Sequence, residues 1–522
     1  YHKKINDSSI TLKELYALYN LFDNKTGIDE LINNYSDDSF KTNVYNFFLT
    51  ETPNCSVLFG NCKKYLNAII KNSKENIVKY SKDEPFKCRK TGKQIILHKK
   101  GDPIEKHLLG RYFGWIWCYL GRAIIYCYYL SQNDDYLDYF IECYDYFVSL
   151  RNDTLKIIDK QKNKLIKSWG VEEQGIETTE VTVCGLMGLP VCEFIIATTN
   201  NEKYSRKRQI YLKDLSACVE DFFDEIKYCE GSIYFKYPFD HRTEAFNHVH
   251  LYGAVLCYLY YFTKNEIYYK TANGIAQYFK RNIIVSKNNR VSWAYFQQYE
   301  DLITNKINNK PEAYWKGSVT LELVIAAQRT GIIFSKRELN DFCNVLVDNI
   351  LISNNLNIYI QNDNTIPDTH WNMHHPIQEC LTPGHYKDLT SIIPFIFGYI
   401  FLNNVDNTIA NKLISHIKTV PDIEHVISTI WAGTGCRYSW LSLCYYANIK
   451  KGKNFNLNNN NVLVSSTFSS DNIIDKTFEN YTYDEAELLR GNKNLHIING
   501  YADKFSSEQG ELVKFYIAKN KL

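Results

Sequence analysis

A chain of 522 residues with a formal net charge of +2, 45% hydrophobic and 23% charged residues, has ordinary globular usage. It is long enough for several domains or one large repeat-built domain. Lys and Arg are scattered rather than clustered, which argues against a nucleic-acid partner. The apolar stretches around Trp115 to Leu130 and Ile392 to Leu402 are too short or too broken by polar groups for the ~18-residue run of a membrane span, so none is expected.

The composition is skewed towards Asn, Lys, Ile and Tyr, with 41 Tyr and only 2 Met. An AT-rich coding sequence accounts for much of that skew, although tyrosine also suits a glycan cleft, where its ring stacks and its hydroxyl bonds. The chain opens on Tyr1 rather than Met, which fits a removed or omitted leader. Asn-x-Ser/Thr sites stand at Asn6, Asn24, Asn34, Asn54, Asn152 and Asn480, and would carry glycans in a secretory pathway. A secreted or particle-associated location is therefore favoured over a cytoplasmic one. The cysteine count is 15, an odd number. Cys118, Cys127, Cys184, Cys257, Cys343 and Cys444 lie in apolar helical stretches and read as small hydrophobes. Cys55, Cys62 and Cys88 lie in polar sequence and could form a local disulfide.

In chain order, residues 1–104 read as an N-terminal helical cap region. Residues 105–449 then repeat one theme: an apolar, aromatic helix, a polar turn and a more amphipathic helix. The first three pairs begin at GRYFGWIWCYLGRAIIYCYYL, TTEVTVCGLMGLPVCEFIIATT and NHVHLYGAVLCYLYYFT. A fourth begins at SVTLELVIAAQRTG, a fifth at DLTSIIPFIFGYIFL and a sixth near Pro421. The spacing is irregular, at about 60 to 70 residues, longer than the period of short solenoid repeats. A helix that is apolar all round must be buried, whereas an amphipathic one keeps a face in water. Two concentric rings meet both demands, so the expected fold is mainly α, an α/α toroid of about six helical hairpins; an open α-solenoid is the competitor. Residues 450–461 form an Asn-rich linker, and 462–522 alternate like a small β module.

In a toroid the segments leading into the inner helices converge on one funnel, and unusual residues recur in those segments. WGVEEQGIETTE carries Trp169, Glu172, Glu173 and Glu180; FNHVH carries Asn247, His248 and His250. Trp293 and Tyr295 precede Glu312, Tyr314 and Lys316. His370, His374, His375 and His385 come before the fifth inner helix, and Trp431, Arg437 and Tyr438 before the sixth. Each has a plain alternative: Asn247 suits a helix N-cap, the glutamates suit an acidic first turn, and His248 lies on a face that becomes core. Without an HExxH-type pattern the histidines do not point to a metal, and no cofactor is implied.

The run from Asn247 to Ile283, then Ser292 to Tyr295, then Pro311 to Phe342, resembles the toroid core of polysaccharide lyases and uronyl C5-epimerase-like proteins. In such proteins an Asn-His pair opens an inner helix, and an aromatic WxY and a Glu-containing segment lead into the next. The resemblance covers about 105–449. It departs at Lys316, where an imidazole is expected in a Glu-Asp-x-x-His-Gly pattern, so a neutral-pH base is missing there.

What the resemblance implies is a partner that is an acidic, uronic-acid-containing polysaccharide, with proton abstraction at C5. That chemistry needs the sugar carboxylate neutralised while a positioned base takes the proton. The expected catalytic set is Asn247, His248, Tyr295, Glu312, Tyr314 and Lys316. The expected substrate-binding set is Trp169, Glu180, Trp293, His375, His385, Trp431, Arg437 and Tyr438. His250 reads as structural. Two alternatives stay open: an inactive glycan-binding or structural protein on the same fold, and a hydrolase using Glu180 and Glu312 as carboxyl groups about 5 to 10 Å apart. The oligomeric state is left open.

Overall fold

The structure, a computed structural model, describes residues 55–75, 78–79, 84–87, 94–99, 101–173, 175–239, 242–286, 290–295, 312–352, 355–356, 360, 393–417 and 433–457. Of the described residues 66% are helical, with short antiparallel strand pairs between the helices, so the class is mainly α. The expected β module at 462–522 lies outside the described residues, as do His370, His374, His375, His385 and Trp431.

The chain divides into two compact units. The first holds α1 (Cys55–Lys74), α2 (Gly110–Ser131), α3 (Asp134–Ser149), the short α4 (Asn152–Leu155) and α5 (Val181–Ala197). It also holds most of α6 (Ser205–Glu220), a 3-10 helix over Ile393–Asn404, and two later helices at Ile409–Ile417 and Gly433–Lys450. The second unit holds α7 (Phe246–Thr263), α8 (Glu266–Arg281), α9 (Tyr314–Thr320), α10 (Glu322–Thr330) and α11 (Lys336–Asn344). The helices at Ile409–Ile417 and Gly433–Lys450 are α12 and α13.

The alternation of apolar and amphipathic helices appears as burial. In α5 every residue from Val181 to Ile195 is buried, whereas α8 leaves Glu266, Lys270 and Arg281 in water and buries Ile267, Tyr268, Ala272 and Phe279. In the first unit α2 packs against α5, α3 and α13, and α13 packs on the 3-10 helix. Close approach of α2 and α5 rests on Gly121: a Cβ there would stand 2.9 Å from the Pro190 side chain. In the second unit α7 packs on α8, α9 and α10.

One turn recurs between paired helices. After α2, Ser131 Oγ donates to Cys127 O, Gln132 adopts a left-handed conformation (φ 56°), and Asn133 caps α3 by accepting from Asp135 N. After α7, Thr263 Oγ1 donates to Leu259 O, Lys264 is left-handed (φ 56°), and Asn265 caps α8 by accepting from Ile267 N. After α5, Thr199 Oγ1 donates to Ile195 O and Asn201 accepts from Lys203 N. The shared sequence is Ser/Thr-x-Asn-Asp/Glu: SQND, TNNE and TKNE. Its chemistry is a hydroxyl that closes one helix and an amide that opens the next.

A second recurring feature is an antiparallel strand pair ahead of a largely buried helix. β1 (Glu84–Lys87) pairs with β2 (Gln94–His98) before α2, and β3 (Gly170–Glu173) with β4 (Ile176–Thr179) before α5. β5 (Lys227–Cys229) pairs with β6 (Ser232–Tyr234) before α7, and β7 (Ile283–Val285) with β8 (Val291–Trp293) before α9. Glu172, Glu173 and Glu177 therefore lie on a hairpin, which rules out the plain alternative of an acidic first helical turn for them.

Other expectations are corrected. Cys62 is a free, buried thiol on the core face of α1 and joins no local disulfide. The Asn152 side chain is buried in α4, so that acceptor site is closed to a glycan in the folded chain. The remaining acceptor sites lie outside the described residues. Among the described residues, no helix is long and apolar enough to cross a membrane.

Candidate functional site

The start of α7 meets the segment ahead of α9 through backbone, Phe246 N donating to Tyr295 O at 3.4 Å, and within that segment Glu312 N donates to Trp293 O at 3.3 Å. Helix α7 starts one residue before Asn247, so Ala245 is the N-cap and makes no side-chain cap bond. Asn247 therefore does not cap, contrary to that reading. Its side chain is buried, and Oδ1 has no hydrogen-bond partner among the described residues. Leaving a buried amide oxygen unpaired costs about 1 to 3 kcal/mol.

His248 is one turn after Glu244, and Nδ1 lies 2.9 Å from Glu244 Oε1, which also accepts from Ala245 N. Glu244 is buried, while the His248 side chain keeps a fifth of its surface open (20%). A buried carboxylate on Nδ1 fixes the ring and leaves Nε2 as the basic nitrogen. Sequence reading missed Glu244; its spacing of four residues ahead of His248 was the signal that could have found it.

Glu312 is wholly buried between β8 and α9. Its carboxyl accepts from Trp293 Nε1 and from Thr320 Oγ1 at 2.9 Å. Burial raises its pKa to about 8, against the pull of the Trp293 and Thr320 bonds and of the Lys316 charge. Lys316 is four residues further on, in α9. Its Nζ lies 3.6 Å from the centroid of the Tyr295 ring. Burial lowers the Lys316 pKa, Glu312 opposes that fall, and the exposed Arg242 adds to it. A cation on a tyrosine face gains about 0.5 to 2 kcal/mol.

Thr320 ties this cluster to His250: the His250 Nδ1–H donates to Thr320 O at 2.6 Å. His250 is fully buried against Phe246 and Phe279, and burial lowers its pKa to about 4. As expected, it is a core residue.

Several expected site residues are enclosed by protein. Trp293 is buried against Phe279 and Phe342, so its ring offers no stacking face. Tyr314 is buried, and burial holds its hydroxyl well above the usual phenol range, which removes it as a base. Trp169, in the first unit, is buried with Nε1 donating to Phe147 O at 2.7 Å. Trp169 and Trp293, expected at the substrate, and Tyr314, expected in the catalytic set, are thus all buried side chains in this structure.

Glu180, also in the first unit, stands at the N-cap of α5 but makes no cap bond. Instead Arg111 forks onto both its oxygens, Nε at 2.8 Å and Nη2 at 2.7 Å, while Nη1 reaches Glu173 at 2.7 Å. His98 Nε2 lies 2.5 Å from Glu172 on the same hairpin. Arg111, another residue sequence reading missed, lies far along the chain from these glutamates. Arg437 and Tyr438 fall on α13, and their side chains lie outside the description.

Among the described residues, no group of three or more His, Cys, Asp or Glu is placed to hold a metal ion. No family model, curated protein or solved structure matches this chain.

Proposed function

We propose that the cluster around Arg242, His248, Tyr295 and Lys316 binds the carboxylate of a uronic-acid-containing polysaccharide, and that His248 removes the C5 proton. The observation that carries this reading is the backbone bond from Phe246 N to Tyr295 O, which joins a segment holding a histidine on a buried carboxylate, His248 on Glu244, to the ring that carries a partly desolvated lysine, Lys316. A carboxylate next to C5 must lose its repulsion for the carbanion that forms, and cations in a water-poor setting serve that need best. Lys316 and Arg242 would neutralise it, and Tyr295 or water would return a proton. Glu312, with its carboxyl occupied by Trp293 and Thr320, acts on Lys316 rather than on a sugar. It is a positioning residue.

The toroid belongs to the same proposal. It is supported by the recurring helix-turn-helix chemistry of SQND, TNNE and TKNE, by the strand pairs that precede inner helices, and by the packing of α13 on α2 within the first unit.

The hydrolase alternative loses its basis, because both of its carboxyl groups are occupied: Glu180 by Arg111 and Glu312 by Trp293 and Thr320. A binding protein without catalysis is favoured by one observation, the lysine at 316 where the resembled family carries an imidazole. One experiment separates the two. The protein is incubated with a panel of uronic-acid polysaccharides while absorbance of a new C4–C5 double bond and solvent deuterium at C5 are followed. Either signal supports proton abstraction. Retention of an acidic glycan without either signal supports binding alone, and neither retention nor reaction defeats the proposal.

A further inference from the structure

In the first unit the Sγ atoms of Cys127, on α2, and Cys444, on α13, lie 3.5 Å apart, in van der Waals contact and fully buried. The two helices are held in register here by more than the thiols. Asn448 Nδ2, one turn beyond Cys444, donates to Tyr126 O at 2.9 Å, and the Tyr126 and Tyr445 rings meet edge to face at 5.4 Å. A third buried thiol, Cys62 on α1, is near enough to Cys127 for a charge on one to disfavour a charge on the other.

We infer that Cys127 and Cys444 are a cross-linking site, at which a disulfide joins the first and last apolar helices of the first unit when the chain folds in an oxidising compartment. The oxidant is a small disulfide of the glutathione type. The Cys127 thiolate attacks one of its sulfurs and releases one thiol; the Cys444 thiolate then attacks the mixed disulfide and releases the second. The two protein thiols lose two hydrogens in all, and the small disulfide becomes two thiols. Because both sulfurs are buried, the bond forms before α13 has closed on α2, and it is shielded from reductant afterwards. The link would close a loop of more than three hundred residues, and long loops remove the most freedom from the unfolded chain. The inference stands apart from the proposed glycan chemistry, since none of these thiols belongs to the His248 and Lys316 cluster.

The test uses the full chain, refolded once with a reduced and oxidised glutathione pair and once with reductant only. Each sample is denatured, free thiols are capped with N-ethylmaleimide, and the protein is digested without reduction. The expected result in the oxidised sample is one linked peptide pair containing Cys127 and Cys444, two hydrogens lighter than the sum of its parts. That pair should be absent after Cys444→Ser and retained after Cys62→Ser. Unreduced protein should also melt several degrees above reduced protein. Capped Cys127 and Cys444 in the oxidised wild-type sample would overturn the inference, as would a Cys62–Cys127 link in their place; both readings are made on the wild-type chain and so do not depend on a variant folding.

Discussion

Lys316 Nζ lies 3.6 Å from the centroid of the Tyr295 ring, and Lys316 follows the buried Glu312 by four residues. A lysine seated this way gives up water that an exposed ammonium keeps, and burial lowers its pKa. Its positive charge should therefore vanish at lower pH than that of an ordinary lysine. Affinity for an acidic oligosaccharide should fall at lower pH than the range around pH 10 where lysines normally titrate. Isothermal titration at several pH values checks this, with Lys316→Gln expected to remove the alkaline fall. An affinity unchanged up to pH 10 would show that Lys316 takes no part.

His250 gives a stability prediction of definite sign. Its folded pKa, lowered to about 4 by burial, lies below the ordinary value of 6.5, so the folded state resists a proton that the unfolded chain accepts. The stabilisation is complete above about pH 6.5 and is lost as pH falls towards 4, by about 3 kcal/mol in all. Urea unfolding at a series of pH values should show this loss, and His250→Gln should flatten it. Equal slopes for the two proteins would contradict the assignment.

Arg111 and Glu180 make a third case. Glu180 is buried, so removing the guanidinium leaves a charge without its main partner; Arg111→Ala should cost about 3 kcal/mol. Glu180→Gln placed on top should restore part of that loss, since a neutral amide tolerates burial better. A double-mutant cycle by denaturant unfolding measures the coupling. Strict additivity of the two changes would mean that the fork contributes nothing.

The recurring turn is tested at Asn265. Its side chain caps α8 through Ile267 N, and Asn265→Ala should cost about 1 kcal/mol. Asn133→Ala in the first unit should cost a similar amount, because the same bond is lost at Asp135 N. Hydrogen exchange at the first turns of α3 and α8 should rise in the respective variants and nowhere else.

The helical pairs were legible in sequence because periodicity records which faces are buried, and helices such as α5 and α8 differ plainly in that respect. The strand pairs were not. A strand of three or four residues, such as Val291–Trp293, is too short for alternation to stand out from a loop, and its partner is fixed by the turn between them. The Ser/Thr-x-Asn-Asp/Glu turn was present in the sequence and passed over, since capping residues are common and only their recurrence at equivalent places gives them weight. Trp169, Trp293 and Glu312 show the other limit. Residue type suggests stacking or acid-base work, but burial and partners decide, and those come from segments distant in sequence. Arg111 and Glu180 are a pair of this kind.

The central claim is that the Lys316 and His248 cluster recognises a uronate carboxylate, and the most direct measurement is a binding titration with an acidic oligosaccharide and its neutral, carboxyl-reduced counterpart. The account predicts that the acidic form binds the wild-type chain more tightly, that salt weakens this preference, and that Lys316→Gln loses about tenfold in affinity, roughly 1.4 kcal/mol, for the acidic form alone. Equal affinity for the acidic and neutral oligosaccharides, or an unchanged preference in Lys316→Gln, would contradict it.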